Sequence, residues 1–358
     1  YSREENWSEL VEVLERAVIV AEDDEDRIRL YSQLGLVWGE CLSRDRNALE
    51  NWENVLSIDM DNLSALKAIA GIHEANQDWT SLIETLERLI EAGASVFEAD
   101  ELKGYYAKLG TVYADTLEQS IEGIEAWNTA HEVDPSDLAP VEALIRLYDD
   151  QMMWEEQIDS MSKKAELVDG DEQIETLLSQ AKVFEEKLEE PLRAEESYSK
   201  ILSVAPLHEH AFEKFTEIKT EKEEWEQLNE ASFKRLDYLS EEADRVKLFH
   251  QVASVYEDKL EQPENAFVVM QRAFEEDYSN DDTAAHLERL ASLTGKWDEL
   301  LASTGHVLQT VEDNDVKINL CLKIGKWYAD ELGHPDYSIS YYQQVLQLDA
   351  ENVQALKR

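Results

Sequence analysis

The sequence has few residues that interrupt helices, with only 12 glycines and 6 prolines among 358 residues. Helix-favouring residues such as Leu, Ala, Glu, Lys and Gln are abundant, so we expect a mainly helical chain. No run of about 18 apolar residues occurs, which predicts that no segment inserts into a membrane. The first residues, "YSREENWSEL", contain no basic stretch followed by an apolar one, so no signal peptide is visible. The first residue is Tyr rather than Met, which leaves open an export signal further upstream.

Cysteine is almost absent. Cys41 and Cys321 lie far apart and at different phases of the pattern described below, which argues against a disulfide framework. Two unpaired cysteines are compatible with a reducing compartment. Together with the missing signal peptide, they favour a cytoplasmic location.

Basic residues are also scarce. The chain has 33 Lys and Arg and 80 Asp and Glu, which gives a formal net charge of −47. Such a field repels nucleic acid and anionic membrane surfaces and attracts basic proteins and cations. A solvated surface adapted to solubility or high salt is the competing interpretation. Hydrophobic residues still make up 43% of the chain, which is enough to form a core.

Tryptophan recurs at a regular interval, each time where a helical pattern begins. The spacings are 72, 75, 71 and 72 residues between Trp7, Trp79, Trp154, Trp225 and Trp297. A fixed period of this size indicates a repeat array. We therefore divide residues 1–358 into one continuous array of five repeats, at about 7–78, 79–153, 154–224, 225–296 and 297–358. The pattern predicts four helices in each repeat, and the array is expected to be part of a longer one.

When the five repeats are aligned, we call a position that holds the same type of residue in every repeat a column. Two such columns lie three residues apart in the second helix of each repeat. A small residue occupies the first column, at Gly35, Gly110, Ala181, Ala253 and Gly325. An aromatic residue occupies the next, at Trp38, Tyr113, Phe184, Tyr256 and Tyr328. Both columns lie on one helix face, where we expect the small residue to admit a close partner helix.

These columns resemble those of the tetratricopeptide repeat (TPR) family, whose units pair two helices in about 34 residues. In the second repeat the matching residues are Tyr106, Leu109, Gly110, Tyr113, Gly123, Trp127, Ala130 and Pro135. The interval from Tyr113 to Trp127 is one residue longer than the family pattern. The resemblance covers essentially the whole chain and implies an all-α fold, a right-handed α-solenoid of antiparallel helix hairpins. The recurring Trp is then expected to pack at a turn between two hairpins.

Motifs for catalysis, cofactors or metals are not evident. The sequence contains no GxGxxG, GxxxxGK[ST], HExxH or GxSxG, and its histidines do not recur at one phase. His208 and His210 form a weak candidate metal pair, for which a solvated helix start is the alternative. Cys321 falls on a column of large residues and is expected to lie in the core. We predict no enzymatic activity, no cofactor and no metal site.

Three functions remain open. A solenoid of this kind serves as a scaffold that presents a concave acidic groove to a protein or peptide with a basic segment. It can also be a structural array that associates with further copies of itself. The third alternative is a non-catalytic region of a larger enzyme or of a secretion or motility complex.

Candidate partner-binding residues come from an acidic column. It stands two residues after the aromatic column and comprises Glu40, Asp115, Glu186, Asp258 and Asp330. By the resemblance to the TPR family, this phase faces the concave surface. Acids near a helix C-terminus are mildly unfavourable, by about 0.3–1 kcal/mol each. Their presence in all five repeats suggests a groove that binds Lys or Arg, although copies of one ancestral repeat would share them without any use.

Overall fold

The computed structural model describes residues 6–358, which form twenty α-helices and no strand. The helices fall into an N-terminal unit that ends at Glu190 and a C-terminal unit, Pro191–Arg358. The N-terminal unit contains α1 (Trp7–Val20), α2 (Asp24–Leu36), α3 (Asp45–Ile58), α4 (Leu63–Ala75), α5 (Trp79–Gly93), α6 (Ala99–Thr111), α7 (Ser120–Val133), α8 (Leu138–Asp150), α9 (Trp154–Leu167) and α10 (Gly170–Glu186). The C-terminal unit contains a 3₁₀ turn at Pro191–Ala194 followed by α11 (Glu195–Val204), α12 (Glu209–Glu221), α13 (Trp225–Leu236), α14 (Glu242–Asp258), α15 (Pro263–Glu276), α16 (Asp281–Thr294), α17 (Trp297–Thr310), α18 (Asn314–Lys326), α19 (Pro335–Leu348) and α20 (Val353–Lys357). The predicted all-α repeat fold is confirmed.

Each of the five tryptophans is the first residue of a helix, as the sequence predicted. Two residues earlier the chain takes a left-handed conformation, at Gln77, Met152, Glu223 and Gly295, with φ between 56° and 71°. An amide one residue before the Trp bonds back five residues and closes the turn, as in Asp78 N to His73 O (2.9 Å). The tryptophan therefore marks the re-entry from a tight turn into the next helix.

Three of the tryptophans pack as predicted. Trp7, Trp79 and Trp297 join apolar clusters of their own units, and Trp297 lies 6.3 Å from the buried ring of Trp327. Trp154 and Trp225 are half-buried and lie under ammonium groups, with Lys187 Nζ and Lys259 Nζ at 5.0 and 5.2 Å from the rings. In these two repeats the ring of the tryptophan makes a cation–π contact.

The extra residue between the aromatic column and the following helix has a structural cause. The second helix of each repeat ends in a widened turn, in which an amide bonds to the carbonyl five residues earlier, as in Leu117 N to Val112 O (3.1 Å). In three repeats this turn is a π-helical segment, at Val37–Cys41, Val112–Thr116 and Trp327–Glu331. A π-turn accommodates one more residue than an α-turn. A left-handed residue then reverses the chain, at Ser43, Glu118, Glu189, Glu261 and Gly333.

The small column serves close helix packing. A Cβ atom placed on Gly110 would lie 2.6 Å from the Trp127 ring, and one on Gly35 would lie 2.6 Å from Trp52. Bare backbone at these positions therefore lets a large ring from the next helix lie directly against it. Cys321, on the column of large residues, is 1% exposed and lies in the core beside Tyr342, as predicted.

Candidate functional site

All five residues of the predicted acidic column are exposed. In the N-terminal unit, Glu40 and Asp115 lie within π-helical segments and Glu186 is the last residue of α10. In the C-terminal unit, Asp258 is the last residue of α14 and Asp330 lies within a π-helical segment. The common turn geometry thus brings the column to the same end of equivalent helices.

Two acids of this column are already bound to arginines, which the sequence reasoning missed. Arg146 Nη2 of α8 lies 2.7 Å from Asp115 Oδ1. Arg358 donates two hydrogen bonds to Asp330, at 2.7 and 2.6 Å. Both arginines follow their acid by about one helix hairpin, so a search for Arg at that offset would have indicated the pairs.

The other three acids have weaker contacts or none with arginine. Glu186 Oε2 lies 3.8 Å from Lys182 Nζ, one turn earlier in the same helix. Asp258 interacts electrostatically with Arg289, whose guanidinium binds the neighbouring carboxylate of Glu257. The Arg289 and His286 bonds to Glu257 outweigh burial and lower its pKa to about 2.

A groove in the N-terminal unit, which we call the N-terminal cleft, lies between α8 and α10 with α9 as its floor. It has two adjoining openings of about 530 and 460 Å³, both lined by Ile145 and Met161. Arg146 and Glu186 line one of them, so the acidic column borders this cleft through Glu186 and through the Asp115–Arg146 pair. The cleft therefore brings one predicted site residue to a concave surface.

Two glutamines bond to the helices of the N-terminal cleft: Gln157, which lines it, and Gln180, a buried residue of α10. Gln180 Nε2 donates to Ile158 O at 3.0 Å and to Ser162 Oγ at 2.6 Å. Gln157 Nε2 donates to Asp149 Oδ1 at 3.2 Å, although Gln157 Oε1 has no hydrogen-bond partner within residues 6–358. Ile158, next to Gln157 in α9, is buried and apolar and is not among the residues that line the two openings.

An equivalent groove in the C-terminal unit, the C-terminal cleft, lies between α12 and α14 with α13 as its floor. Its volume is about 780 Å³, within the roughly 300–1,000 Å³ typical of ligand pockets. Phe212, Leu248 and Val252 contribute apolar walls, and Trp225 lines the same cavity. At one end Arg235 stacks 4.5 Å from the Phe212 ring and donates to Glu209 Oε2 at 2.7 Å.

Two polar residues of the C-terminal cleft, one on the floor and one on a wall, lack hydrogen-bond partners in the described chain. Asn229 is 2% exposed, and neither its Nδ2 nor its Oδ1 has a hydrogen-bond partner in the described chain. The buried Thr216 Oγ1 is also without a partner there. Both residues line the cleft. A column comparison would have found Asn229, because Val11, Ile83, Ile158 and Leu301 hold its position in the other repeats.

A buried lysine lies in the last turn of α12. Lys219 is 1% exposed and bonds to Glu195, Gln227 and, at 2.5 Å, Glu224. Burial disfavours its charged form, but the bonds to Glu195 and Glu224 outweigh burial and raise its pKa. The corresponding residues are His73, Tyr148 and Ala291, so no other lysine stands at this position in the described repeats.

The weak histidine candidates do not come together as a metal site. His208 Nδ1 accepts a hydrogen bond from Ala211 N at 3.2 Å and so caps α12, in agreement with a helix start. The His210 ring packs edge-on against Tyr198 instead. Within residues 6–358 no group of three or more His, Cys, Asp or Glu side chains has a metal-binding arrangement. None of the described helices has both the length and the apolar character that a membrane crossing requires.

Comparison with known proteins gives distant similarity in solved structures alone. No protein-family model matches the chain, and no curated protein matches it. The crystal structure of MamA is 17% identical over 45% of this chain and 88% of its own, with a TM-score of 0.34. YrrB, described as a TPR protein with an unusual peptide-binding site, is 18% identical over 56% and 96%, with a TM-score of 0.34. A structure of Naa15/Naa10 bound to HypK-THB is 12% identical over 99% and 60%, with a TM-score of 0.38.

These similarities are too weak to transfer a partner or an activity. The fold assignment depends on the molecule itself, in which paired helices, a buried small column and facing aromatic residues recur as the TPR pattern requires. In fold the chain is a TPR-like helical-repeat protein.

Proposed function

We propose that this protein is a non-catalytic scaffold for protein–protein interaction, and that its acidic column binds a Lys- or Arg-rich segment of a partner. The observation that carries the proposal is the exposure of an acid at one turn position in every repeat, beside a small column that is buried for packing. Packing explains the small column, and internal arginines account for the acids at Asp115 and Asp330 alone. Recognition of a partner's cation gives one reason for all five acids.

The charge of the whole chain supports a basic partner. A net charge of −47 attracts cationic segments from a distance and raises their rate of association. At contact, a carboxylate that accepts a charged hydrogen bond contributes about 1.5–3 kcal/mol when partly desolvated. An exposed pair contributes about 1 kcal/mol or less. Several acids along a groove are therefore needed for useful affinity.

The arginine pairs divide the column into two classes. Asp115 and Asp330 must exchange an internal arginine for a partner's cation. Glu40, Glu186 and Asp258 require no such exchange, so we assign them the larger share of binding. Each unit contributes at least one of these three acids, and the proposal applies to each unit separately.

The test compares two sets of neutralised acids. We expect a fluorescent dodecapeptide of alternating lysine and alanine to bind saturably, and the triple change Glu40→Gln, Glu186→Gln and Asp258→Asn to weaken it about tenfold at low salt. The matched control is Glu91→Gln, Glu166→Gln and Glu226→Gln, exposed acids of α5, α9 and α13. Equal losses in both triples would reduce the effect to net charge. Unchanged affinity and salt dependence in the first triple would remove the column from the binding site.

A further inference from the structure

We infer that the C-terminal cleft is a specificity pocket for a primary carboxamide, the side chain of a glutamine in the partner's segment. The inference adds a pocket to the binding function proposed above, and the two can fail separately. It stands on the unpartnered amide of Asn229 and the unpartnered hydroxyl of Thr216 in one cavity.

The hydrogen-bonding requirement of Asn229 defines the ligand chemistry. Its side chain carries a donor at Nδ2 and an acceptor at Oδ1, and both lack a partner in the described residues. A second carboxamide has the complementary pair, so two amides can bond in both directions at once. It also has another N–H, which the hydroxyl of Thr216 can accept.

Other ligand groups match the cleft less well. A carboxylate has no donor for Asn229 Oδ1. It also meets a cleft lining in which four acids, Glu209, Glu213, Glu217 and Asp244, outnumber the two cations Arg235 and Lys247. An ammonium group has no acceptor for Asn229 Nδ2. A thioether or an alkyl group leaves both atoms unpaired, which is the costly outcome for buried polar groups.

The depth of Asn229 favours a long side chain over a main-chain amide. The residue is on the floor helix α13 and is 2% exposed, so a peptide backbone lying along the rim does not reach it. The two methylene groups of glutamine carry its carboxamide away from the peptide backbone, between the apolar side chains of Phe212, Leu248 and Val252 that line the cleft. Lysines on either side of the glutamine then meet the acidic rim.

The position of Asn229 argues against a packing role. The residues that replace it in four other repeats are all aliphatic, and the three that are fully buried are Val11, Ile83 and Ile158. An aliphatic side chain therefore fits this position of the repeat. The asparagine introduces an amide that the surrounding protein does not satisfy, which is the arrangement expected for a ligand contact.

The experiment uses four pentapeptides with acetylated N-termini and C-terminal N-methylamides, so that no terminal carboxamide interferes. They are Lys-Lys-Gln-Lys-Lys, Lys-Lys-Met-Lys-Lys and the two analogues with serine in place of lysine. Dissociation constants are measured on the whole chain, and the side-chain amide resonances of Asn229 are followed by NMR. We expect the glutamine peptides to bind at least about tenfold tighter than the methionine peptides and to shift those resonances.

Two variants keep the fold and remove the proposed contact. Asn229→Leu introduces the residue type of the other repeats, and Thr216→Val keeps the side-chain shape. We expect Asn229→Leu to abolish the preference for glutamine and Thr216→Val to reduce it. Gln157→Leu in the N-terminal cleft, where Leu10, Leu82 and Leu228 hold the same column, is the matched control and should leave the preference intact.

The outcomes separate the two proposals. Equal affinity for glutamine and methionine, or a preference that survives Asn229→Leu, overturns the carboxamide pocket and indicates a floor that is merely solvated. If the lysine peptides in that case still bind more tightly than the serine peptides, the proposed binding of a basic segment by the acidic column remains supported. If the serine peptides show the glutamine preference and lysine does not increase the affinity, the result supports the carboxamide pocket and contradicts the proposed binding of a basic segment. Absence of saturable binding by both glutamine peptides overturns the pocket.

Discussion

The two clefts occupy equivalent places in the repeat but have opposite distributions of polarity. In the N-terminal unit, Gln157 in the cleft lining and the buried Gln180 are polar, whereas the C-terminal cleft has Leu228 and Val252 at these positions. The N-terminal unit has Ile145 in the cleft lining and the buried Ile158 where the C-terminal cleft has Thr216 and Asn229. Repeats of one fold thus keep the helices and change the chemistry of the groove.

The consequence of this exchange lies in the hydrogen bonds. Gln180 bonds across to α9 and so stabilises its own cleft. Asn229 has no such bonds in the described chain and leaves an amide facing the cavity. A polar residue at a packing position can therefore join helices or serve a ligand, and its hydrogen-bond partners distinguish the two roles.

The ionic cluster around Lys219 should give the largest effect. We expect Lys219→Ala to lower the free energy of unfolding by about 3 kcal/mol, because Glu195 and Glu224 lose a buried counter-charge. The N-terminal unit has Tyr148 at this position and depends on apolar packing there. Urea unfolding of the whole chain, with hydrogen exchange on α11–α14, measures the loss.

Lys200→Ala is the control for this change, because its pair with Glu196 is exposed and should contribute less than about 1 kcal/mol. A loss from Lys219→Ala no larger than that of the control would mean that the cluster does not hold α12 in place.

The arginine pairs offer a second contrast between the units. Glu257 is 17% exposed and binds Arg289 and His286, whereas the side chain of Asp115, which binds Arg146, is 44% exposed. Glu257→Gln should cost about 2 kcal/mol at neutral pH, as charged hydrogen bonds are lost. Asp115→Asn should cost about 1 kcal/mol or less.

The pH dependence of stability checks the Glu257 pair independently. The folded pKa of Glu257, about 2, lies below the ordinary value of 4.5 for a glutamate carboxyl, so the pair's contribution is present above pH 4.5 and is lost as the pH falls toward 2. The difference in unfolding free energy between the wild type and Glu257→Gln should shrink over that interval. A difference that stays constant would contradict the assigned pKa.

Much of the fold was predictable because packing imposes a period. The small column, the aromatic column and the tryptophans occupy buried or turn positions that each repeat needs, so the sequence repeats them. The widened turn left a visible trace as one extra residue before Trp127. The pairing of Asp115 with Arg146 was missed, because the two residues belong to different helices and their contact depends on how those helices pack.

The C-terminal cleft was also missed, for a different reason. The sequence analysis used the residue types that the repeats have in common, whereas Asn229 is informative because it differs from the residues at its position in the other repeats. Neither its burial nor the absence of partners within residues 6–358 can be read from the sequence. The acidic column remains a prediction whose test is the binding of a basic peptide.

The most direct test of the difference between the clefts is the free energy of unfolding after reciprocal substitution of one column. Asn229→Leu should raise it by about 1 kcal/mol, because a buried amide without partners gives way to an aliphatic side chain. Ile158→Asn should lower it by about 2–3 kcal/mol, because that change removes apolar packing and buries an amide. A loss of stability in Asn229→Leu comparable with that in Ile158→Asn would show that the folded protein already satisfies the Asn229 amide, and would contradict the account.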